Sequence, residues 1–178
     1  MVERKNIWNG AAVAGWWLGG ISSAYMAGTA LLKMLEWGDV ATFWLTTALW
    51  LLKFIACIRL VRFFMLRFSR ANPEADNRDT FRFGVLLSLL SALIFSAFYL
   101  AWCRFIQPDM FQEMVDTLAE SLKSVASASQ LKQMQEMVPD MPVYGFFSNL
   151  IYCWAFGTVL SAVFARNIPS RNPFQETR

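Results

Sequence analysis

The sequence predicts an all-α integral membrane protein: four transmembrane helices, with an extracytoplasmic amphipathic helical hairpin between the third and the fourth. Three observations predict it. Of the 178 residues, 56% are hydrophobic and only 16% charged, whereas about a quarter of a soluble domain is charged. The apolar residues gather into runs long enough for a bilayer, which takes about 20 residues. Residues 7–32, 83–103 and 141–165 hold no charge, and 40–58 hold only Lys53. The basic residues are also unevenly placed. Arg4 and Lys5, then Arg59, Arg62, Arg67, Arg70, Arg78 and Arg82, then Arg166, Arg171 and Arg178 fall on one side of the runs. Lys33, Arg104, Lys123 and Lys132 fall on the other. The excess of basic residues on cytoplasmic loops places both termini and the central loop inside. Four such runs leave little soluble chain to bury them, so residues 1–178 form a single membrane domain.

The first helix spans residues 7–32. Its basic start resembles a signal peptide, but the apolar stretch exceeds the roughly 7–15 residues of a signal core, and bulky Leu31-Leu32 follow. It is a retained helix. Ala11, Gly15, Gly19, Ser23 and Ala27 recur every four residues, with Gly20, Ala24 and Gly28 as a second ladder. Small residues at this spacing let helix backbones approach closely in lipid. The third helix carries a similar ladder, Gly84, Ser88, Ala92 and Ser96, and the fourth a shorter one, Gly157, Ser161 and Ala165. Packing within the chain accounts for these ladders; the alternative is that the first helix also forms a homodimer or meets a membrane protein partner.

The second helix spans 40–58 and continues as an interfacial helix to residue 70. At 100° per residue Arg59, Arg62, Arg67 and Arg70 share one face, with Val61, Phe64, Met65 and Phe68 opposite. A helix so divided lies in the headgroup zone, apolar side down and arginines towards lipid phosphates. Asn72-Pro73 ends it. Thr80 is the expected cap of the third helix, 81–105.

Residues 108–141 are too long for a plain connection. Pro108 and Asp109 suit a first helical turn, after which Phe111, Met114, Val115, Leu118, Leu122 and Val125 repeat at three and four. Ser127 with Gln130 fits a capping box for a second short helix. Pro139 and Pro142 close that helix and lead into the fourth membrane helix, 142–165. The tail, 166–178, is expected to be disordered.

The chemistry is read mainly by exclusion. No histidine is present, no nucleophile elbow and no phosphate-binding glycine loop, so no catalytic residue is assigned and the protein is read as not an enzyme. Cys57, Cys103 and Cys153, dispersed among apolar runs and without histidine, make no recognisable metal or haem site. No cofactor and no nucleic-acid partner are expected. Lys53 is the one intramembrane charge, and such charges are costly and by default functional candidates; the bland alternative is that its amine snorkels to the inner headgroups. With Arg59, Arg62, Arg67 and Arg70 it forms the candidate site, for an anionic lipid or a lipid-linked phosphate.

Phe83-Gly84 after a polar loop, Phe105-Ile106-Gln107-Pro108-Asp109 at the end of the third helix, and the basic, proline-containing stretch of residues 166–174 together resemble a bacterial membrane family catalogued as domain of unknown function 4199. The resemblance covers residues 80–173 and implies a four-helix inner-membrane protein without an assigned activity. Together these readings point to a non-enzymatic accessory or anionic-lipid-interacting subunit of an envelope pathway. The alternative is a small transporter or flippase for an anionic lipid-linked substrate.

Overall fold

The structure, a computed structural model, describes residues 4–34, 38–122 and 127–168. Every element among them is helical: α1 (Arg4–Met34), α2 (Asp39–Ala71), α3 (Asn77–Ala101) continuing as a π-helical turn over Trp102–Ile106, α4 (Met110–Leu122), α5 (Ala128–Met137), a 3-10 turn over Val138–Asp140, and α6 (Met141–Asn167). Among the described residues two stretches, Asn77–Ile106 and Ser129–Asn167, are long and apolar enough to cross a membrane. The expected disorder of the tail past Ile168, and Lys123 and Val125 of the outer segment, lie outside the described residues.

The helix ends follow from local chemistry. Gly38 enters α2 with φ 79°, a conformation that L side chains rarely adopt. The first turn of α3 is capped one turn earlier than the sequence suggested. Asp76, not Thr80, is the cap: the Asp79 N–H donates to Asp76 Oδ1 at 2.7 Å, and the Thr80 hydroxyl donates to the Asp76 carbonyl at 3.1 Å. An acidic side chain suits this end because the first-turn amides lack partners and carry the positive end of the helix dipole. At α5 both halves of the capping box form, the Ser127 N–H donating to Gln130 Oε1 at 2.9 Å and the Gln130 N–H to Ser127 Oγ at 3.4 Å. Pro139 and Pro142 do not end the helical path. It runs from α5 through the 3-10 turn directly into α6, because each proline falls in a first turn, where a missing N–H leaves nothing unpaired.

By its contacts the chain divides into two units, Met1–Phe95 with Leu150–Arg178, and Ser96–Asn149. The core of the first is drawn from four helices: Ile7, Ala11, Ala14 and Leu18 of α1, Val61, Met65 and Phe68 of α2, Phe83 and Leu87 of α3, and Ala165 of α6, with Ile168 just after it. Phe68 and Phe83 stack face to face, with ring centroids 4.3 Å apart. This core corrects the interfacial reading of the end of α2. The face carrying Val61, Met65 and Phe68 is buried in protein, with Phe64 partly buried against the same core. Val61, Met65 and Phe68 therefore meet protein where the sequence pattern suggests lipid. Burying that face against α1 and α3 satisfies the same apolar demand that lipid would have met.

In the second unit, the Trp102 indole N–H donates to Gln107 Oε1 at 3.1 Å where α3 ends in its π-helical turn. A β-carbon at Gly145 of α6 would lie 2.5 Å from the Tyr99 ring, so glycine is required for that approach. The apolar stripe of α4 splits: Phe111 and Val115 are buried, whereas Met114 and Leu118 are exposed. Positions 111 and 115 are one turn apart on one line of the helix, and that narrower line alone is covered.

Candidate functional site

Lys53 lies in the first unit, on the middle of α2. Its ammonium sits 4.9 Å from the centroid of the Tyr25 ring of α1 and 5.2 Å from that of the Phe95 ring of α3. Side chains on a helix lean towards its N-terminus. For α2 that direction is towards Asp39 and away from Arg59. None of Arg59, Arg62, Arg67 and Arg70 is among the residues that surround Lys53. Lys53 faces a partly open cavity of about 140 Å³, bordered by Ser22, Cys57, Ser88, Ser91, Cys153 and Gly157 as well as by aromatic rings. Among the described residues no acidic side chain lines this cavity. On its flank Trp50 stacks on Phe54 at 5.6 Å, Phe54 meets Phe156 at 5.6 Å, and Phe156 stacks on Tyr152 at 6.4 Å. These partners were not legible in the sequence, because they come from four helices and none is close to Lys53 along the chain except on α2 itself.

Arg59, Arg62, Arg67 and Arg70 are all exposed on one side of α2, opposite the buried Val61, Met65 and Phe68. Arg67 alone of the four borders a second depression, a groove of about 400 Å³ lined by Asn9, Val13, Ala14, Phe64, Phe68, Asn72 and Phe83. The groove thus has apolar walls, two amide side chains and one guanidinium.

The small-residue ladders hold the helices that surround the cavity. A β-carbon at Gly15 would lie 2.9 Å from Leu90 Cβ, and one at Gly19 2.9 Å from Ile94 Cβ, so α1 rests on α3 along this ladder. Between α3 and α6 the contact is reciprocal: Gly84 faces Ser161, and Gly157 faces Ser88. Ala92 of the same ladder is buried and borders the cavity. Three of the ladder serines are satisfied one turn back on their own helices, whereas the buried Ser96 hydroxyl has no hydrogen-bond partner among the described residues. Ser23 donates to the Gly19 carbonyl at 3.0 Å, Ser88 to Gly84 at 2.8 Å and Ser161 to Gly157 at 2.7 Å. The second ladder of α1 has no such neighbour: nothing lies within 4 Å of a β-carbon placed at Gly20 or Gly28. Among the described residues no group of three His, Cys, Asp or Glu side chains is placed to hold a metal ion.

Comparison with known proteins adds the family. No curated protein and no solved structure matches the chain. A family model described as Protein of unknown function (DUF4199) matches residues 14–166. The match begins well before Thr80 and therefore takes in α2, Lys53 and most of α1; it ends at Arg166, before the basic tail. A match over that much of the sequence is decisive: the chain belongs to the DUF4199 family.

Proposed function

We propose that this protein is a multi-pass membrane protein without catalytic activity, in which α1, α2, α3 and α6 form a four-helix membrane bundle and the basic side of α2 binds anionic lipid as part of an accessory role in the envelope. The observation that carries the reading is the Arg67 groove. An apolar trough suits an acyl chain, and a guanidinium at its edge suits bidentate contact with phosphate oxygens. Both features occur together at the end of α2 that the basic residues assign to the inner leaflet. The outward exposure of apolar and aromatic side chains on α1 and α2, including Trp16 and Trp17 at 66% and 60% and Trp44 at 67%, supports lipid rather than water around these helices. The segment carrying α4 and α5 is then extracytoplasmic, and both termini are cytoplasmic in a bacterial inner membrane.

The test is the lipid that the purified protein retains. In mild uncharged detergent the wild type is expected to carry anionic lipid by mass spectrometry. Replacing Arg62 and Arg67 together with Gln should strip it while topology is unchanged. Equal anionic lipid in both proteins would reduce the basic face to an orientation signal.

A second reading is favoured by a separate observation, the placement of Lys53 in a cavity of its own away from the arginines. A small transporter or flippase for an anionic lipid-linked substrate would need such a charge within the bundle. Accelerated movement of a fluorescent anionic lipid between leaflets of vesicles containing the protein, lost in Lys53→Gln, would select it over the accessory role.

A further inference from the structure

We propose that the Lys53 cavity is a binding site for an anionic amphiphile, an oxyanion such as a phosphate ester or a carboxylate joined to an apolar chain. The proposal deepens the lipid-binding reading of the protein but uses a different set of residues from the Arg67 groove.

The argument starts from what Lys53 lacks. Its three N–H donors make no hydrogen bond among the described residues; its neighbours are the Tyr25 and Phe95 rings. Ring faces stabilise an ammonium but accept no conventional hydrogen bond. A charge that is partly withdrawn from water and given no counter-charge is unfavourable, and among the described residues the cavity wall supplies no carboxylate. An oxyanion placed at Lys53 would meet the ammonium, and the hydroxyls of Ser22, Ser88 and Ser91 border the same space. The Ser88 hydroxyl already donates to Gly84, so it would serve there as a further polar contact and not as a new donor. The remainder of the ligand is specified by size and by the other wall. At about 140 Å³ the space holds a head group and the first part of a chain; a cavity of roughly 150 Å³ takes one benzene ring. The rest of the chain would leave past the stacked rings of Trp50, Phe54, Phe156 and Tyr152, of which Trp50 and Tyr152 are exposed. An inorganic anion would leave this aromatic wall unused, and a neutral alcohol would leave Lys53 unpaired.

The experiment uses the full-length protein in uncharged maltoside detergent and a decyl phosphate carrying a diazirine in its chain. After irradiation, adducts are expected on the stretches of α2 and α6 that carry Trp50 and Phe156. Unlabelled decyl phosphate should compete, lowering adduct yield about tenfold when present at ten times its dissociation constant. Decanol or inorganic phosphate at the same concentration should not. Lys53→Gln should lose the adducts, while Lys53→Arg and the Arg62→Gln/Arg67→Gln double variant should keep them. Thermal unfolding of Lys53→Gln establishes that it is folded. Adducts that persist in folded Lys53→Gln, or that decanol removes equally well, would overturn the proposal. Competition by inorganic phosphate alone would overturn the amphiphile as occupant in favour of a free anion. Loss of adducts in the arginine double variant but not in Lys53→Gln would place the amphiphile in the groove and not in the cavity. Retained lipid that depends on the arginines is read by the earlier test, so either site can fail without the other.

Discussion

Gly84 of α3 and Ser161 of α6 occupy one shared volume: a β-carbon on Gly84 would lie 2.5 Å from Ser161 Oγ, and one turn further along α3 the roles reverse, with Ser88 filling the space that a β-carbon on Gly157 would need. The two helices run in opposite directions, so a Gly-x-x-x-Ser on each pairs glycine with serine twice. The serine hydroxyls donate back to the glycine carbonyls of their own helices. They therefore bring no unpaired polar group to the interface, and close backbone approach is gained without a desolvation penalty.

Gly84→Ala is therefore expected to destabilise the protein by about 1–3 kcal/mol, the usual range for overpacking a tight contact. Adding Ser161→Gly to the same chain should recover a large part of that loss, because it reopens the occupied volume. Thermal unfolding in mild detergent of the two single variants and the double variant checks this. Additive losses would mean that the two positions do not share the contact.

The two ladders of α1 make opposite predictions. Gly19→Leu should lower thermal stability strongly, since its side chain would enter α3 at Ile94, whereas Gly20→Leu should leave the monomer as stable as wild type because nothing lies within 4 Å of it. Leu18→Gly should cost less than Gly19→Leu, although Leu18 is itself buried. If the open ladder of Gly20, Ala24 and Gly28 carries a homodimer, Gly20→Leu should shift size-exclusion chromatography with light scattering towards monomer without lowering stability. An unstable Gly20→Leu monomer would contradict the assignment of the two faces.

The distribution of basic residues predicts that Asp76 and Arg178 face the cytoplasm and that Ser124 faces the other side. Single-cysteine variants, in a background without Cys57, Cys103 and Cys153, labelled with an impermeant maleimide in intact cells check it. Labelling of Ser124→Cys only after lysis would remove the four-span arrangement.

What was legible in the sequence was local. The box at Ser127 and Gln130 announced the start of α5, and the repeat of small residues marked the faces of α1, α3 and α6, because both signals lie within a few residues of each other on one helix. What was not legible required two helices at once. The partnership of the Gly84–Ser88 and Gly157–Ser161 pairs depends on the antiparallel register of α3 and α6. The surroundings of Lys53 were hidden for the same reason: along the chain its nearest fellow cation is Arg59, whereas its ammonium meets rings on α1 and α3. The arginine stripe of α2 was correct as a stripe, whereas the opposite face found protein rather than lipid, since hydrophobicity alone does not say which of the two will cover it.

The last prediction separates a residue kept for binding from one kept for stability. If Lys53 stabilised the bundle, truncating its charge would weaken the fold. The two ring contacts at 4.9 and 5.2 Å are worth about 0.5–2 kcal/mol each at best. Withdrawing an ammonium from water costs several kcal/mol when no counter-charge offsets it, and among the described residues no acidic side chain lines this cavity. Because Lys53 is only partly buried, both contributions shrink, but the desolvation cost remains the larger. Lys53→Met keeps the length and apolar stem of the side chain and removes the charge. Without added amphiphile, Lys53→Met is therefore expected to raise stability by on the order of 1 kcal/mol, the gain typical of relieving a strained functional position. With decyl phosphate added, the wild type should gain stability by mass action and the variant should not. Thermal unfolding of both proteins with and without the ligand decides the matter. A Lys53→Met variant less stable than wild type in the absence of ligand would show that the ring contacts outweigh desolvation and that Lys53 belongs to the fold.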